Sequence, residues 1–269
     1  MQELSGEMPI GIFDSGVGGL TVMREIIKQL PEEDIIYLGD TARVPYGARS
    51  PETVSRYSFE NTEFLMSKGI KILVVACNTS SAVSLGMLRG QFPIPVAGVV
   101  EPGARAAAAN TKLKKIAVIG TETTIKSAAY EKAIRAIDES VKVSGIACPL
   151  FVPLIEEGRL HGDVVTLIAG EYLTQVKSSG ADTLVLGCTH YPMIKHVIGD
   201  IAQIPLIDSA VETAKEVKQI LAEGNMFRKG GSQLSREFYV TDSPEKFALV
   251  GEKFLGHKIS NISKINLGG

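Results

Sequence analysis

A chain of 269 residues is long enough for one large or two medium domains, each with its own buried core. Its composition, 45% hydrophobic and 22% charged, is that of a folded globular protein, and twelve prolines with no low-complexity run argue against extended disorder. A formal net charge of −2 leaves no basic footprint, so direct nucleic-acid binding is not expected.

The stretch from Met1 to Met8 is short and polar, and the first apolar run is soon broken by Asp14. No signal peptide is read there, and no apolar run approaches the roughly 18 residues that cross a bilayer. A cytoplasmic protein without membrane contact is therefore expected. In a reducing compartment the three cysteines are expected as free thiols. No CxxC pair or His/Cys cluster has zinc-ligand spacing, so no metal is expected.

Along the chain, apolar runs of strand length alternate with helical segments. IGIF (10–13) precedes a helix over Leu20–Leu30, whose apolar residues recur every three or four positions. DIIYL (34–38) precedes Pro51–Ser67, with Pro51 suited to a first helical turn. ILVVA (72–76), IPVAGV (94–99) and KIAVI (115–119) follow, then a helix over Lys126–Ile137. KVSGIA (142–147), a helix over Val164–Ser178, TLVLG (183–187), IPLI (204–207) and a helix over Val211–Leu221 complete the pattern. Most of these strands are continuously apolar, as strands buried on both faces of a parallel sheet are, so the fold class is α/β.

Two segments echo one another. Gly69 to Thr79 (GIKILVVACNT) lies over Gly180 to His190 (GADTLVLGCTH): a Gly ends a helix, an apolar strand follows, and a Cys comes directly after it. IGIFDS (10–15) and IAVIGT (116–121) echo at nearly the same offset. Two related half-structures explain this most simply, although repeated βαβ grammar alone can produce part of it. If the halves face each other, Cys77 and Cys188 approach a shared cleft from opposite sides.

In open α/β sheets ligands bind where strand-to-helix loops converge. Asp14 and Ser15 begin a loop, DSGVGG, whose glycines allow close backbone approach to a ligand; alternatively it is a tight turn with a capping side chain. Its spacing is not that of a dinucleotide fingerprint. GDTARVPYG (39–47), holding Tyr46 and Gly47, is either a cover for a small polar ligand or a surface connection in which Asp40 and Arg43 pair. Cys77 stands at a helix start, where the dipole and amide donors are expected to lower its pKa, among Asn78, Thr79 and Ser80. Alone, it would be read as a small buried hydrophobe. Cys188 is followed by Thr189 and His190, and an imidazole there can tune the thiol or act as an acid. Cys148 lacks such polar company and is expected to be structural.

Two matched thiols suit one reaction well. Inverting the α-carbon of an amino acid needs a base on one face and an acid on the other, with the roles exchanged in reverse. Many donors must also surround the carboxylate that receives the charge. Backbone amides near Ser15, Gly47, Asn78, Thr79 and Thr189 are the expected suppliers.

GIFDSGVGGL (11–20), LGDTARVPYG (38–47), VVACNTSSA (74–82), GVVEPG (98–103) and LVLGCTHYP (184–192) resemble, in order and spacing, the signature segments of bacterial glutamate racemases. The resemblance spans about residues 10 to 215. No familiar motif follows Ala222. It implies two α/β domains related by approximate two-fold symmetry, 1–98 plus 207–269 with Cys77 and 99–206 with Cys188, and a site in the cleft between them. It also implies interconversion of L- and D-glutamate without a cofactor, D-glutamate supply for peptidoglycan, and a homodimer. By matching position, Cys77 serves the D-glutamate side and Cys188 the L-glutamate side, assisted by Asp14 and His190 respectively. Substrate contacts are implied for Asp14, Ser15, Tyr46, Gly47, Asn78, Thr79, Thr189 and His190. Glu156 is either near the site or a solvated helix residue. The competing readings are a two-cysteine aspartate or hydantoin racemase, a regulatory or binding protein on the same fold, and a cysteine hydrolase, which leaves Cys77 without a role.

Overall fold

The structure is a computed structural model that describes residues 5–230 and 233–267. In chain order the first part contains β1 (Ile10–Asp14), α1 (Leu20–Gln29), β2 (Ile35–Gly39), α2 (Pro51–Ser67), β3 (Ile72–Val75), α3 (Asn78–Gln91), β4 (Val96–Gly98) and α4 (Val100–Asn110). Next come β5 (Lys115–Gly120), α5 (Glu122–Lys126), α6 (Ala129–Ile137), β6 (Lys142–Ala147), α7 (Phe151–Glu156), α8 (Asp163–Ser178), β7 (Thr183–Gly187), α9 (Lys195–Ala202) and β8 (Leu206–Asp208). The chain ends with α10 (Ser209–Glu223), β9 (Arg236–Val240), α11 (Pro244–Leu255) and β10 (Ile262–Lys264).

These strands form two parallel sheets, one of six strands ordered β10-β9-β2-β1-β3-β4 and one of four ordered β6-β5-β7-β8. The inner order of the first sheet, 2-1-3-4, is repeated by 6-5-7-8 in the second. The internal echo in the sequence therefore corresponds to two sheets of one topology, and Cys77 and Cys188 follow equivalent strands, β3 and β7. Both strands are entered through a glycine in the left-handed region, Gly69 (φ 72°) and Gly180 (φ 66°), beyond the ends of α2 and α8. A side chain there would be strained, which explains the shared Gly.

Strand residues alternate between cores, as the two-residue period of a pleated strand requires. Ile72 and Val74 of β3, with Leu184 and Leu186 of β7, face one continuous core that also holds Leu20, Met23, Ala214, Val217 and Phe151. On the other face, Leu73 and Val75 pack with Leu65, Leu85 and Leu88. Val185 packs with Ala104, Ala107, Tyr130 and Ile134. Burying each such large apolar side chain stabilises by about 1.5–3 kcal/mol. α10 returns from the second sheet to pack on α1, tying the halves together.

The structure differs from the predicted elements in several places. The helix expected over 126–137 is two helices, α5 and α6, parted at Ala128, whose φ of 53° cannot continue a right-handed helix. α4, α7, α9 and α11 fall outside the predicted helices; in α4, Pro102 and Gly103 weaken the local signal, although the donor that Pro102 lacks is not needed in a first turn. Beyond α10, β9 adds in parallel to β2 and extends the first sheet.

Candidate active site

The loops after β1, β2, β3, β5, β6 and β7 converge on a cavity of about 380 Å³, a size that accommodates a small metabolite. Ser15, Tyr46, Gly47, Cys77, Asn78 and Thr79 reach it from the first half. Cys148, Glu156, Cys188, Thr189 and His190 reach it from the second. Asp14 is not part of the lining; it is fully buried behind it. None of the lining residues is Lys or Arg.

Cys77 occupies the N-cap position of α3 without a side-chain capping bond, and its sulfur lies 3.8 Å from Ser15 Oγ. The helix-start expectation of a lowered pKa fails here. Burial, and then the Asp14 charge, push the thiol up to about 11, against hydrogen bonding from Ser80 and Ser15 that favours the anion. Asp14 accepts a hydrogen bond from the Gly16 amide at 2.8 Å through Oδ2, and its buried Oδ1 has no protein partner among the described residues. Burial raises its pKa, with His190 opposing that shift.

On the other side, Cys188 Sγ lies 3.9 Å from His190 Nδ1, while His190 Nε2 lies 3.0 Å from Glu156 Oε1. Burial disfavours the imidazolium, but hydrogen bonds to Cys188 and Glu156 outweigh it and take the ring up to about 10. The same hydrogen bond lowers the pKa of Glu156. Glu156, open between two readings in the sequence, sits on the cavity wall and orients the histidine.

The halves touch beside this ring. Thr21 Oγ1 donates to the Thr189 carbonyl at 2.9 Å, and a Cβ on Gly18 would fall 2.2 Å from Thr189 Oγ1. The glycine-rich loop after β1 thus packs against the Cys188 loop. Tyr46 donates its hydroxyl to Asp40 and accepts from Asn61 Nδ2 at 3.1 Å, so its backbone and ring are what it offers the cavity. Gly47 abuts Thr121, where a Cβ would meet the threonine at 2.6 Å. Asn78, in the cavity wall, donates from Nδ2 to Tyr130 at 3.3 Å, and its buried Oδ1 has no partner among the described residues. Thr79 Oγ1 lies 3.0 Å from Thr121 Oγ1, joining the two halves again. Cys148, expected as structural, is fully buried, yet it also lies in the cavity wall.

Among the described residues, no group of three or more His, Cys, Asp or Glu side chains is placed to hold a metal ion. No helix among them is long and apolar enough to cross a membrane.

Residues 10–217 match the Asp/Glu/Hydantoin racemase family. The glutamate racemase of Geobacter metallireducens is 55% identical over 260 residues, covering 96% of each chain. The crystal structure of glutamate racemase from Francisella tularensis in complex with D-glutamate superposes with a TM-score of 0.93 at 38% identity, covering 97% of this chain and 98% of that one. That of the Thermus thermophilus enzyme in complex with beta-chloro-D-alanine gives 0.89 at 40% identity, covering 97% and 98%. The match runs through both cysteine-bearing strand ends and along nearly the whole of these relatives, and the chain belongs to the Asp/Glu/Hydantoin racemase family.

Proposed function

We propose that the protein is a cofactor-independent glutamate racemase that moves the α-proton between two thiols. The observation that carries this reading is the placement of Cys77 and Cys188 after equivalent strands of two like sheets, both opening onto one cavity. One sulfur, as thiolate, takes the Cα proton, and the Cα–H electron pair spreads into the substrate carboxylate. The opposite thiol then delivers its own proton to the other face and is left as thiolate. Charge and protons balance, and the reverse reaction exchanges the roles.

The two sides differ before substrate arrives. Cys77, with its pKa pushed up to about 11, is the protonated partner and so the ready acid. Beside Cys188 the protonated His190 presents a donor to the sulfur, with Glu156 holding the ring in place. Cys77 is assigned to the D-glutamate side and Cys188 to the L-glutamate side, with Asp14 acting on Cys77 from behind the wall. With no Lys or Arg in the lining, the substrate carboxylates are bound by hydroxyls, amides and helix-start N–H groups contributed by Ser15, Gly47, Asn78, Thr79 and Thr189. The glutamate racemases of Geobacter metallireducens and Francisella tularensis, the second solved with D-glutamate, favour glutamate as the substrate. We assign the two-lobe division 1–98 plus 207–269 and 99–206, a cytoplasmic homodimer, and D-glutamate supply for peptidoglycan on the same family grounds.

Exhaustively dialysed protein incubated with either enantiomer of glutamate in deuterated water should give a racemic mixture with deuterium at Cα. Aspartate should react far more slowly. Cys77→Ser and Cys188→Ser should each reduce racemisation at least a thousandfold while keeping the circular dichroism of the fold. Retention of full activity by both variants overturns the two-thiol mechanism.

A further inference from the structure

One buried charge lies behind the cavity wall and takes no part in the chemistry above. Asp40 follows β2 at the place Cys148 holds after β6, and it is fully buried. Its Oδ1 accepts from Thr241 Oγ1 at 2.9 Å. Its Oδ2 accepts from Arg43 Nε at 2.6 Å and from the Tyr46 hydroxyl. Arg43 is itself held: it donates to Asn61 Oδ1 at 3.1 Å and to Glu60, and its guanidinium lies 4.2 Å over the Tyr57 ring.

Thr241, directly after β9, closes the ring of contacts. Its amide donates to the Gly39 carbonyl at 3.2 Å, and its Oγ1 accepts from the Ala42 amide at 2.8 Å. Next to it, Thr41 Oγ1 accepts from the Asp242 amide at 2.8 Å. Asp40, Arg43 and Thr241 do not line the cavity, whereas Pro45, Tyr46 and Gly47 do. A charged acceptor with three donors in a dry setting fixes geometry strongly, so the wall it holds is presented to the substrate in one position.

We propose that Asp40 is a positioning residue for the reaction, holding the Pro45–Tyr46–Gly47 wall of the cavity, and that Thr241 anchors the same wall from the C-terminal strand. The segment after α10, which carries no recognisable motif, thereby acts on the Pro45–Tyr46–Gly47 wall through the Thr241 hydroxyl. The kinetic arm of the test rests on the racemase reading; the exchange arm does not.

Thr241→Val keeps the shape but removes the donor to Asp40 and the acceptor for Ala42, while Thr241→Ser keeps both. In Thr241→Val, amide hydrogen exchange over residues 40–49 should accelerate by about tenfold or more, with the rest of the chain unchanged. KM for glutamate should rise roughly three- to tenfold, with kcat within about twofold, and Thr241→Ser should restore both. Asp40→Asn should move the same quantities further in the same direction. The proposal is overturned if Thr241→Val exchanges and binds like the unmutated protein. It is equally overturned if exchange rises throughout the chain and kcat falls with thermal stability, since that is what a merely structural contact would do. If the unmutated protein racemises no glutamate, the substrate reading fails, and exchange over residues 40–49 still decides the role of Asp40 and Thr241.

Discussion

His190 Nε2 and Glu156 Oε1 lie 3.0 Å apart although 34 residues separate them in the chain. The contact joins α7 to the loop after β7, and it turns the other ring nitrogen toward Cys188 Sγ. A histidine held at both nitrogens has a fixed orientation, and its charge is set by the two partners rather than by bulk solvent.

The pair has a defined pH signature. His190 is raised from 6.5 to about 10, so its contribution to stability is complete below pH 6.5 and is lost as the pH climbs toward 10. Glu156 is lowered from 4.5, so its contribution is present above pH 4.5 and is lost as the pH falls through its folded value. Both contributions are therefore intact between pH 4.5 and 6.5. Glu156→Gln should destabilise by about 1 kcal/mol near pH 6, discounted because the carboxylate is a third exposed. The difference should fade as the pH approaches 10. Urea unfolding at several pH values measures it, and a difference that stays constant with pH refutes the linkage.

Asp14 and Cys77 yield a second prediction. Burial is the larger cause of the raised thiol, and the Asp14 charge is the next. Asp14→Asn removes that charge and keeps the shape, so the Cys77 pKa should drop and its thiolate fraction near pH 8 should rise by about three- to tenfold. The alkylation rate of the Cys77 peptide by iodoacetamide, followed by mass spectrometry against the Cys148 peptide, reports this. An unchanged ratio means that Asp14 does not act electrostatically on the thiol.

What could be read in the sequence divides along physical lines. β3 with Cys77 and β7 with Cys188 were legible because a strand buried on both faces is one apolar run, and the residue after it sits at the mouth of the sheet. The pairing of the two was legible because the echo repeats an order, 2-1-3-4 against 6-5-7-8, that the sheets share. The charge state of Cys77 was not: a helix start favours thiolate, and only the three-dimensional neighbourhood shows burial and Asp14 outweighing it. Glu156 was ambiguous for the same reason, since its partner lies on another element. β9 carries little local signal because REFYV becomes a strand by pairing with β2, a contact some 200 residues away in sequence. Thr241 carries no local signal of its reach to Asp40.

The base of the first sheet holds a buried ion pair whose loss should be severe. Lys71 is fully buried and donates to Glu33, and Glu33 Oε1 accepts from the Arg228 amide at 2.9 Å. Lys71→Met would leave the carboxylate without its charge partner. A loss of about 3–5 kcal/mol is expected, read as a shift in the urea midpoint without a change in slope. A shift equivalent to less than about 1 kcal/mol would show that Arg228 and solvent already compensate Glu33.

Two glycines contrast a closely packed position with an open one. At Gly18 a Cβ would fall 2.2 Å from Thr189 Oγ1 and 2.5 Å from His190 Cε1, whereas at Gly86, exposed on α3, nothing lies within 4 Å. Gly18→Ala must therefore push the Cys188 loop away from the loop after β1, at a cost of about 1–3 kcal/mol. Because Thr189 and His190 move with it, racemisation should fall at least about tenfold. Gly86→Ala adds a helix-favouring side chain in open space and should stabilise by about 0.5–1 kcal/mol, with activity unchanged. Thermal unfolding and initial rates on the two variants decide the matter. If Gly18→Ala keeps both stability and rate, the contact between the two loops is slack and does not position His190.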